Sequence, residues 1–275
     1  MADGTPHCPI CSSLSTLRIS DNLYSCGLCG ITFNTAYAVK SYSDTYFLDE
    51  YRNQYGKTYI EDYDNIYALS SSRLSAIFNY LPNKSRRSDL SILDTGSAAG
   101  FFLACARDMG IGSVTGIEIS DYASTYCLEH FKIPVIRSSF ADVTLTSTYS
   151  IITAWYFIEH TADPVAMMEK IHHSLAPGGV FAFSVPSIFG PLFVFNRERW
   201  VRTHPTDHYM DFSPRGIKKI LTGLGFSNIH VKAAGIHPER IFNPQSLLFR
   251  PFALLYGSVS RLISFSDTME VYAIK

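Results

Sequence analysis

The sequence predicts an α/β fold: a doubly wound, mostly parallel seven-stranded sheet, preceded by a small cysteine-rich lobe and a helical cap. From Leu90 onward, apolar strand-like runs alternate with helical patterns, which places helices on both faces of a parallel sheet. The first such run, "LSILDT", passes through the small-residue stretch "GSAAG" into an apolar helix, and ligands of these sheets bind beyond the carboxyl ends of the strands. Four of the six cysteines fall in two Cys-x2-Cys pairs before residue 30, which sets that segment apart from the sheet.

Composition bounds the function. A chain of 275 residues, 47% hydrophobic, buries one substantial core plus a small appendage. Its net charge of -1 provides no general attraction for nucleic acid, so a small-molecule substrate is expected and nucleic acid is not. It has no apolar run of the ~18 residues that a membrane span needs. The start, "MADGTPHCPIC", lacks the basic-then-apolar pattern of a secretory signal, so the expected location is cytoplasmic.

Residues 1–36 read as a zinc ribbon. Cys8, Cys11, Cys26 and Cys29, with fourteen residues between the pairs, can set four thiolates tetrahedrally around Zn2+. A lobe so short has almost no core without the metal. An all-thiolate site has no open position for substrate, so its role is structural. Residues 37–84 read as a helical cap and linker. Tyr51, Tyr55, Tyr59, Tyr63 and Tyr67 recur every fourth residue, close to one face of a helix. A second helical segment, Ala68 to Leu81, ends at Pro82, and "NKSRRS" from Asn83 is a solvated linker. Cys105 and Cys127 sit in apolar helical contexts, as buried, inert thiols do.

Residues 85–275 form the main domain. The loop Asp94-Thr95-Gly96-Ser97-Ala98-Ala99-Gly100 does not fit the G-x-G-x-x-G dinucleotide fingerprint, which disfavours a nicotinamide oxidoreductase. An acid beside the loop suits a ligand carrying an ammonium and a sulfonium, as S-adenosylmethionine does. Asp94, Gly96 and Gly100 resemble the first motif of class I S-adenosylmethionine-dependent methyltransferases, D/E-x-G-x-G-x-G, with Ala98 at the middle glycine. That departure matters if the position requires a positive φ, which alanine resists. The resemblance covers most of Leu90 to Lys275 and implies a Rossmann-like methyltransferase fold. Glu118, ending "VTGIE", stands where the family's ribose-binding acid lies, and Ile119 would face the adenine. Ser139 and Phe140 occupy the best-matching positions near the adenine amino group. Ser97 belongs to the cofactor loop. "YSIITAWYFIEHTADP" is similar to the family's fourth strand and exit, with Ser150 where aspartate is common. Ala154, Trp155 and Tyr156 would border the methionine end. "LAPGG" matches the turn that precedes the fifth strand.

Methyl transfer asks the protein to align an acceptor and, for a hydroxyl or acidic carbon, to remove a proton. His160 in "EH" and His208 in "HPTDHYMDFS" are the candidate catalytic residues. In similar ubiquinone-pathway O-methyltransferases the "EH" pair lies beside the reaction centre. His172 and His173 read as structural. Two insertions interrupt the domain. Residues 187–212 are too long for an ordinary connection and suggest a lid carrying Arg197, Arg199 and Arg202. Ser213 and Pro214 then open a helix. Between the sixth strand, "SNIHVKAAGI", and the seventh, "TMEVYAIK", residues 236–266 form an apolar insertion in which Pro251 argues against one continuous helix. Within it, 241–263 suits a peripheral membrane contact, a dimer face, or packing on the core. A zinc ribbon joined to this catalytic fold resembles bacterial methyltransferases that include sugar C-methyltransferases. The expected activity is methyl transfer from S-adenosylmethionine to an oxygen or carbon of a sugar-, lipid- or quinone-like acceptor. The alternatives are an RNA-directed methyltransferase docking through its ribbon, and a non-catalytic S-adenosylmethionine-binding module.

Overall fold

The computed structural model describes residues 6–38, 40, 44–81 and 86–275. Pro82 and the start of the expected linker, Asn83 to Ser85, lie outside them. Strands β1 (Thr16–Arg18), β2 (Leu23–Cys26) and β3 (Ile31–Asn34) come first. Helices α1 (Tyr51–Tyr55) and α2 (Tyr63–Phe78) follow, then β4 (Ser91–Thr95), α3 (Phe101–Asp108), β5 (Ser113–Glu118), α4 (Asp121–Phe131), β6 (Val135–Arg137) and β7 (Tyr149–Trp155). The remainder runs α5 (Pro164–Ser174), β8 (Leu175–Pro186), α6 (Pro191–Phe195), α7 (Arg197–Thr203), β9 (Met210–Phe212), α8 (Pro214–Gly223), β10 (Ser227–Ala234), α9 (Phe249–Ile263) and β11 (Thr268–Ile274). The expected sheet is present as seven strands in the order β10-β11-β8-β7-β4-β5-β6, with β4 parallel to β5 and β7, and β5 parallel to β6.

The chain divides into two compact units: Met1–Val39, Tyr156–Met168 and Phe183–Val271 form the first, and Lys40–Trp155, Glu169–Ala182 and Tyr272–Lys275 the second. In the second unit, Ile92, Ile151, Val180 and Ala182 of the sheet pack with Leu74 and Ile77 of α2 and Leu103 of α3. Phe101 to Ala106 are all buried, so this part of α3 needs no polar face, and the helix turns polar only at the exposed Arg107 and Asp108 that end it. Gly100 opens α3 at φ +79°, and a side chain there would strike the Cys127 thiol on α4. In α2 the buried positions are Ser70, Arg73, Leu74 and Ile77, the i, i+3, i+4, i+7 stripe of one helix face.

The tyrosine repeat does not lie on one helix. Gly56, at φ +78°, caps α1, leaving Tyr51 and Tyr55 on α1, Tyr63 and Tyr67 on α2, and Tyr59 between them. Two of them still meet at Phe101, which stacks on Tyr59 at 5.3 Å and packs edge-to-face with Tyr63 at 4.9 Å. Two other sequence expectations change. "PGG" is no turn ahead of the strand, since β8 already starts at Leu175; Gly178, at φ +74°, kinks it and donates to the Lys275 carbonyl. Pro251 does not interrupt α9, because it falls in the first turn, where backbone N–H groups have no intrahelical partner to lose.

In the first unit, β1, β2 and β3 form an antiparallel sheet that gains a fourth strand, β9, from the insertion at 187–212. The register pairs Ile31 with Phe212, Thr32 with Asp211 and Phe33 with Met210. The rest of that insertion folds into α6 and α7, where Phe193 and Trp200 pack with Leu23 and Ile188. Ser213 caps α8 by accepting from the Gly216 N–H at 3.0 Å, with Pro214 at the first helical position.

Candidate functional site

In the second unit, β4 ends in Asp94 and Thr95 and β5 in Glu118, so adjacent parallel strands bring two carboxylates to their carboxyl ends, with Glu118 two positions beyond the Asp94–Gly116 pair. Asp94 is buried and accepts from the Thr153 hydroxyl of β7 at 2.6 Å. Burial pushes its carboxyl up to about 8, against the Thr153 hydrogen bond and the Arg73 charge, while Glu118 adds to the rise. Glu118 is also buried, and its pKa is raised by that burial although backbone N–H donors of Ser120, Ala98 and Ile119 work to lower it. Two of those bonds are 2.9 Å from Ala98 and 2.8 Å from Ser120. They fix the carboxylate while leaving acceptor capacity for further donors.

The connecting loop is left-handed at Gly96 (φ +69°), Ala98 (φ +46°) and Gly100 (φ +79°). Ala98 thus holds the conformation that the family's glycine would adopt freely. The Ser97 hydroxyl is buried with no hydrogen-bond partner, an orphaned polar atom of the kind a polar ligand satisfies. Tyr59 and Arg73, which the sequence analysis does not assign to the site, belong here as well. Tyr59 has its pKa raised by burial and by the charges of Tyr46, Asp94 and Glu118, so it lies within electrostatic reach of both acids. Arg73, buried on α2, sets its guanidinium 4.1 Å from the Trp155 ring centroid and acts on Asp94. A lone arginine on the apolar face of a helix was the available clue.

The remaining candidates are placed as follows. Ala154 is buried in β7, and Trp155 packs on Phe102 at 5.3 Å. Ile119 is half exposed. Ser139 and Phe140 follow β6: the Ser139 hydroxyl accepts from Ala141, and Lys170 donates to the buried Phe140's carbonyl at 2.5 Å. Ser150, at the family's usual aspartate position, exchanges hydrogen bonds with Ser91 at 3.1 and 3.3 Å.

The first unit holds Tyr156, His160 and His208. Tyr156 is left-handed at φ +53°, and its N–H donates to the Ser184 carbonyl at 3.0 Å. His160 and His208 come together with ring centroids 4.6 Å apart and planes at 85°. His208 bonds Asp211 at 3.3 Å, and Asp211 also takes His204 at 2.8 Å and the Thr32 hydroxyl at 3.1 Å. Burial alone would raise Asp211, but the hydrogen bonds and charges of these histidines hold its carboxyl far below the usual range. Glu159 is 1% exposed, and burial pushes it up to about 7. Arg197, Arg199 and Arg202 lie at the surface of α7, and Arg197 folds over the Phe193 ring at 3.6 Å.

Also in the first unit, the sulfurs of Cys8, Cys11, Cys26 and Cys29 lie within 4.8 Å of one another, with Cys11 and Cys26 3.7 Å apart. Tetrahedral zinc, with Zn–S near ~2.3 Å, needs four sulfurs spaced in this way, so the donor set fits the ion.

The parallel sheet, its loop and the two strand-end acids define the class I methyltransferase fold. A family model described as a methyltransferase domain matches residues 64–231, and the chain belongs to that family. Solved structures agree in fold. An S-adenosylmethionine-dependent methyltransferase from Archaeoglobus fulgidus is 16% identical with a TM-score of 0.53, over 82% of this chain and 98% of that one. The plantazolicin methyltransferase BpumL in complex with S-adenosylhomocysteine is 16% identical with a TM-score of 0.54, over 84% and 93%. A putative methyltransferase complexed with the Trm112 activator of Haloferax volcanii is 15% identical with a TM-score of 0.54, over 78% and 93%. No curated protein matches in sequence. The chain is an S-adenosylmethionine-dependent methyltransferase.

Proposed function

We propose that this enzyme methylates an oxygen or carbon of a small-molecule acceptor of sugar-, quinone- or lipid-like character. The observation that carries the cofactor half of this reading is Glu118, buried and pinned by the N–H groups of Ala98 and Ser120. A fixed carboxylate with spare lone pairs is what two neighbouring ribose hydroxyls need. Asp94 would stabilise the ammonium, and Gly96, Ser97 and Gly100 would line the approach, with Ala154, Trp155 and Tyr156 toward the methionine end. Ile119, Ser139 and Phe140 are assigned to the adenine. S-adenosylmethionine, when bound, supplies an already activated methyl group. His160 and His208 then handle the acceptor's proton, and Asp211 orients His208.

The cysteine lobe binds structural zinc in this reading, supported by the spacing of its four sulfurs. No helix among the described residues is long and apolar enough to cross a membrane. We infer a peripheral contact with an anionic lipid surface through 241–263, because its exposed leucines are flanked by Arg250 and Arg261, with no acidic residue from Ile241 to Ser266.

Calorimetric titration with S-adenosylhomocysteine, wild type beside Glu118→Ala, tests the cofactor assignment. The expected result is micromolar binding that weakens at least tenfold, about 1.4 kcal/mol. Equal affinity in both proteins would remove Glu118 from the site.

A further inference from the structure

Among the described residues, Glu159 is a buried acid, neither of whose carboxylate oxygens has a hydrogen-bond partner. An ionised carboxylate left so costs several kcal/mol. Protonation would remove the charge and still leave an O–H and a C=O unsatisfied. A second observation bears on the same spot. Donor atoms of Glu159, His160 and His208 lie within 4.8 Å of one another. The centre of a triangle with sides of that length is about 2.8 Å from each corner, so shifts of less than ~1 Å bring all three to metal–ligand distance.

The histidines are already oriented for such a role. His160 Nδ1 lies 3.1 Å from the Asp207 carbonyl oxygen and 3.2 Å from its carboxylate. Both are acceptors, so a proton on Nδ1 suits them, and Nε2 is then the nitrogen that would ligate an ion. His208 Nδ1 faces the Asp211 carboxylate in the same way at 3.3 Å. A carboxylate or carbonyl behind each imidazole is the arrangement that fixes the tautomer of metal-binding histidines. The backbone is held as well: Tyr37 donates to the His160 carbonyl at 2.6 Å, and the Tyr209 N–H to the Glu159 carbonyl at 2.8 Å. The overlapping group His204, His208 and Asp211 does not compete, because Asp211 is already satisfied by both histidines and Thr32.

We propose that Glu159, His160 and His208 bind a divalent first-row transition-metal ion, with Asp207 and Asp211 orienting its two imidazoles. Two imidazoles and one carboxylate favour Zn2+, Co2+, Mn2+ or Fe2+ over Mg2+ and Ca2+, which prefer all-oxygen sets. Three protein donors leave coordination positions open, and a hydroxyl oxygen is the acceptor group that fits one. This last consequence rests on the methyl-transfer reading: the histidines would then act on the acceptor's proton through the ion, which lowers a hydroxyl's pKa, and not as bases themselves. Metal binding itself requires no turnover.

Co2+ titrated into chelator-stripped, full-length protein, with bound ion counted after gel filtration, tests the site. Wild type is compared with Glu159→Gln and His208→Gln, while thiolate-to-cobalt absorption follows the cysteine lobe separately. The expected result is one ion fewer per chain in both variants, or binding weaker by about tenfold or more, with the thiolate band and S-adenosylhomocysteine affinity unchanged. An equal count in all three proteins, or Co2+ in wild type confined to the thiolate band, overturns the proposal. If Glu159→Gln does not fold, His208→Gln carries the comparison. Failure of wild type to bind S-adenosylhomocysteine would count against the cofactor assignment alone, since the metal count is read independently.

Discussion

The Thr32 hydroxyl donates to the Asp211 carboxylate at 3.1 Å across the β3–β9 pair. The contact ties the strand that follows the cysteine knuckles to the acid that holds His204 and His208. Within this unit, the cysteine lobe is therefore part of what positions the histidine cluster.

Thr32→Val tests that link, since it keeps the shape and removes the donor. Asp211 would lose one of three partners while remaining buried, at a cost of about 1–2 kcal/mol. Urea denaturation measures the loss, and the His208 ring resonances should shift in the same variant. Unchanged stability and unchanged resonances would mean that the histidines alone hold Asp211.

Asp94 makes a pH-dependent contribution whose sign follows from its raised pKa. Its ordinary value is 3.8 and its value in the fold about 8, so the folded chain binds the extra proton throughout that window. The stability linked to this proton is full below about 3.8 and is lost as pH rises through about 8. Asp94→Asn removes the titration. Denaturation of the ligand-free proteins at pH 6 and pH 8.5 should show wild type falling relative to the variant by at least about 1 kcal/mol. Parallel pH profiles would show that Asp94 is ionised across the window.

Ala98 stores strain in the loop. At φ +46° a residue with a Cβ costs roughly 1 kcal/mol more than glycine, partly offset by glycine's greater freedom in the unfolded chain. Ala98→Gly should therefore raise stability by up to about 1 kcal/mol. The N–H that donates to Glu118 is retained, so S-adenosylhomocysteine affinity should stay within about twofold. A variant less stable by about 1 kcal/mol or more would mean that the alanine methyl packs better than its backbone suffers.

What could be read from the sequence was local. The alternation of strand and helix, the acid at the end of each of the first two sheet strands, and the Ser213–Pro214 helix start all follow from periodicity or capping chemistry within a few residues. β9 could not be read that way: three residues, Met210, Asp211 and Phe212, show no period, and their partner strand lies some 180 positions earlier. Tyr59 and Arg73 acquire their places only when α2 and the tyrosine segment pack on α3 and β7, which no local pattern encodes. Pro251 misled because its effect depends on its place in the helix, harmless in the first turn and disruptive further in.

Helix α9 turns its larger apolar residues outward. Tyr256, Gly257 and Ser260 are its buried positions, while Leu254 is 75% and Leu262 83% exposed, and Leu247 just ahead of the helix is 98% exposed. Arg250 and Arg261 are exposed on the same segment, which holds no acidic residue from Ile241 to Ser266. Leucines that enter the acyl boundary beside arginines that meet anionic headgroups are the two components of interfacial binding. Full-length protein should co-sediment with vesicles containing phosphatidylglycerol more than with phosphatidylcholine alone. Raising salt to about 0.5 M should weaken the binding, because surface charge is screened over a shorter length. Leu254→Ser with Leu262→Ser should reduce it severalfold at every salt concentration, with S-adenosylhomocysteine affinity unchanged. Absence of vesicle binding at low salt would rule out the lipid contact, and a concentration-dependent dimer that the same two substitutions dissolve would reassign the face to a second copy of the chain.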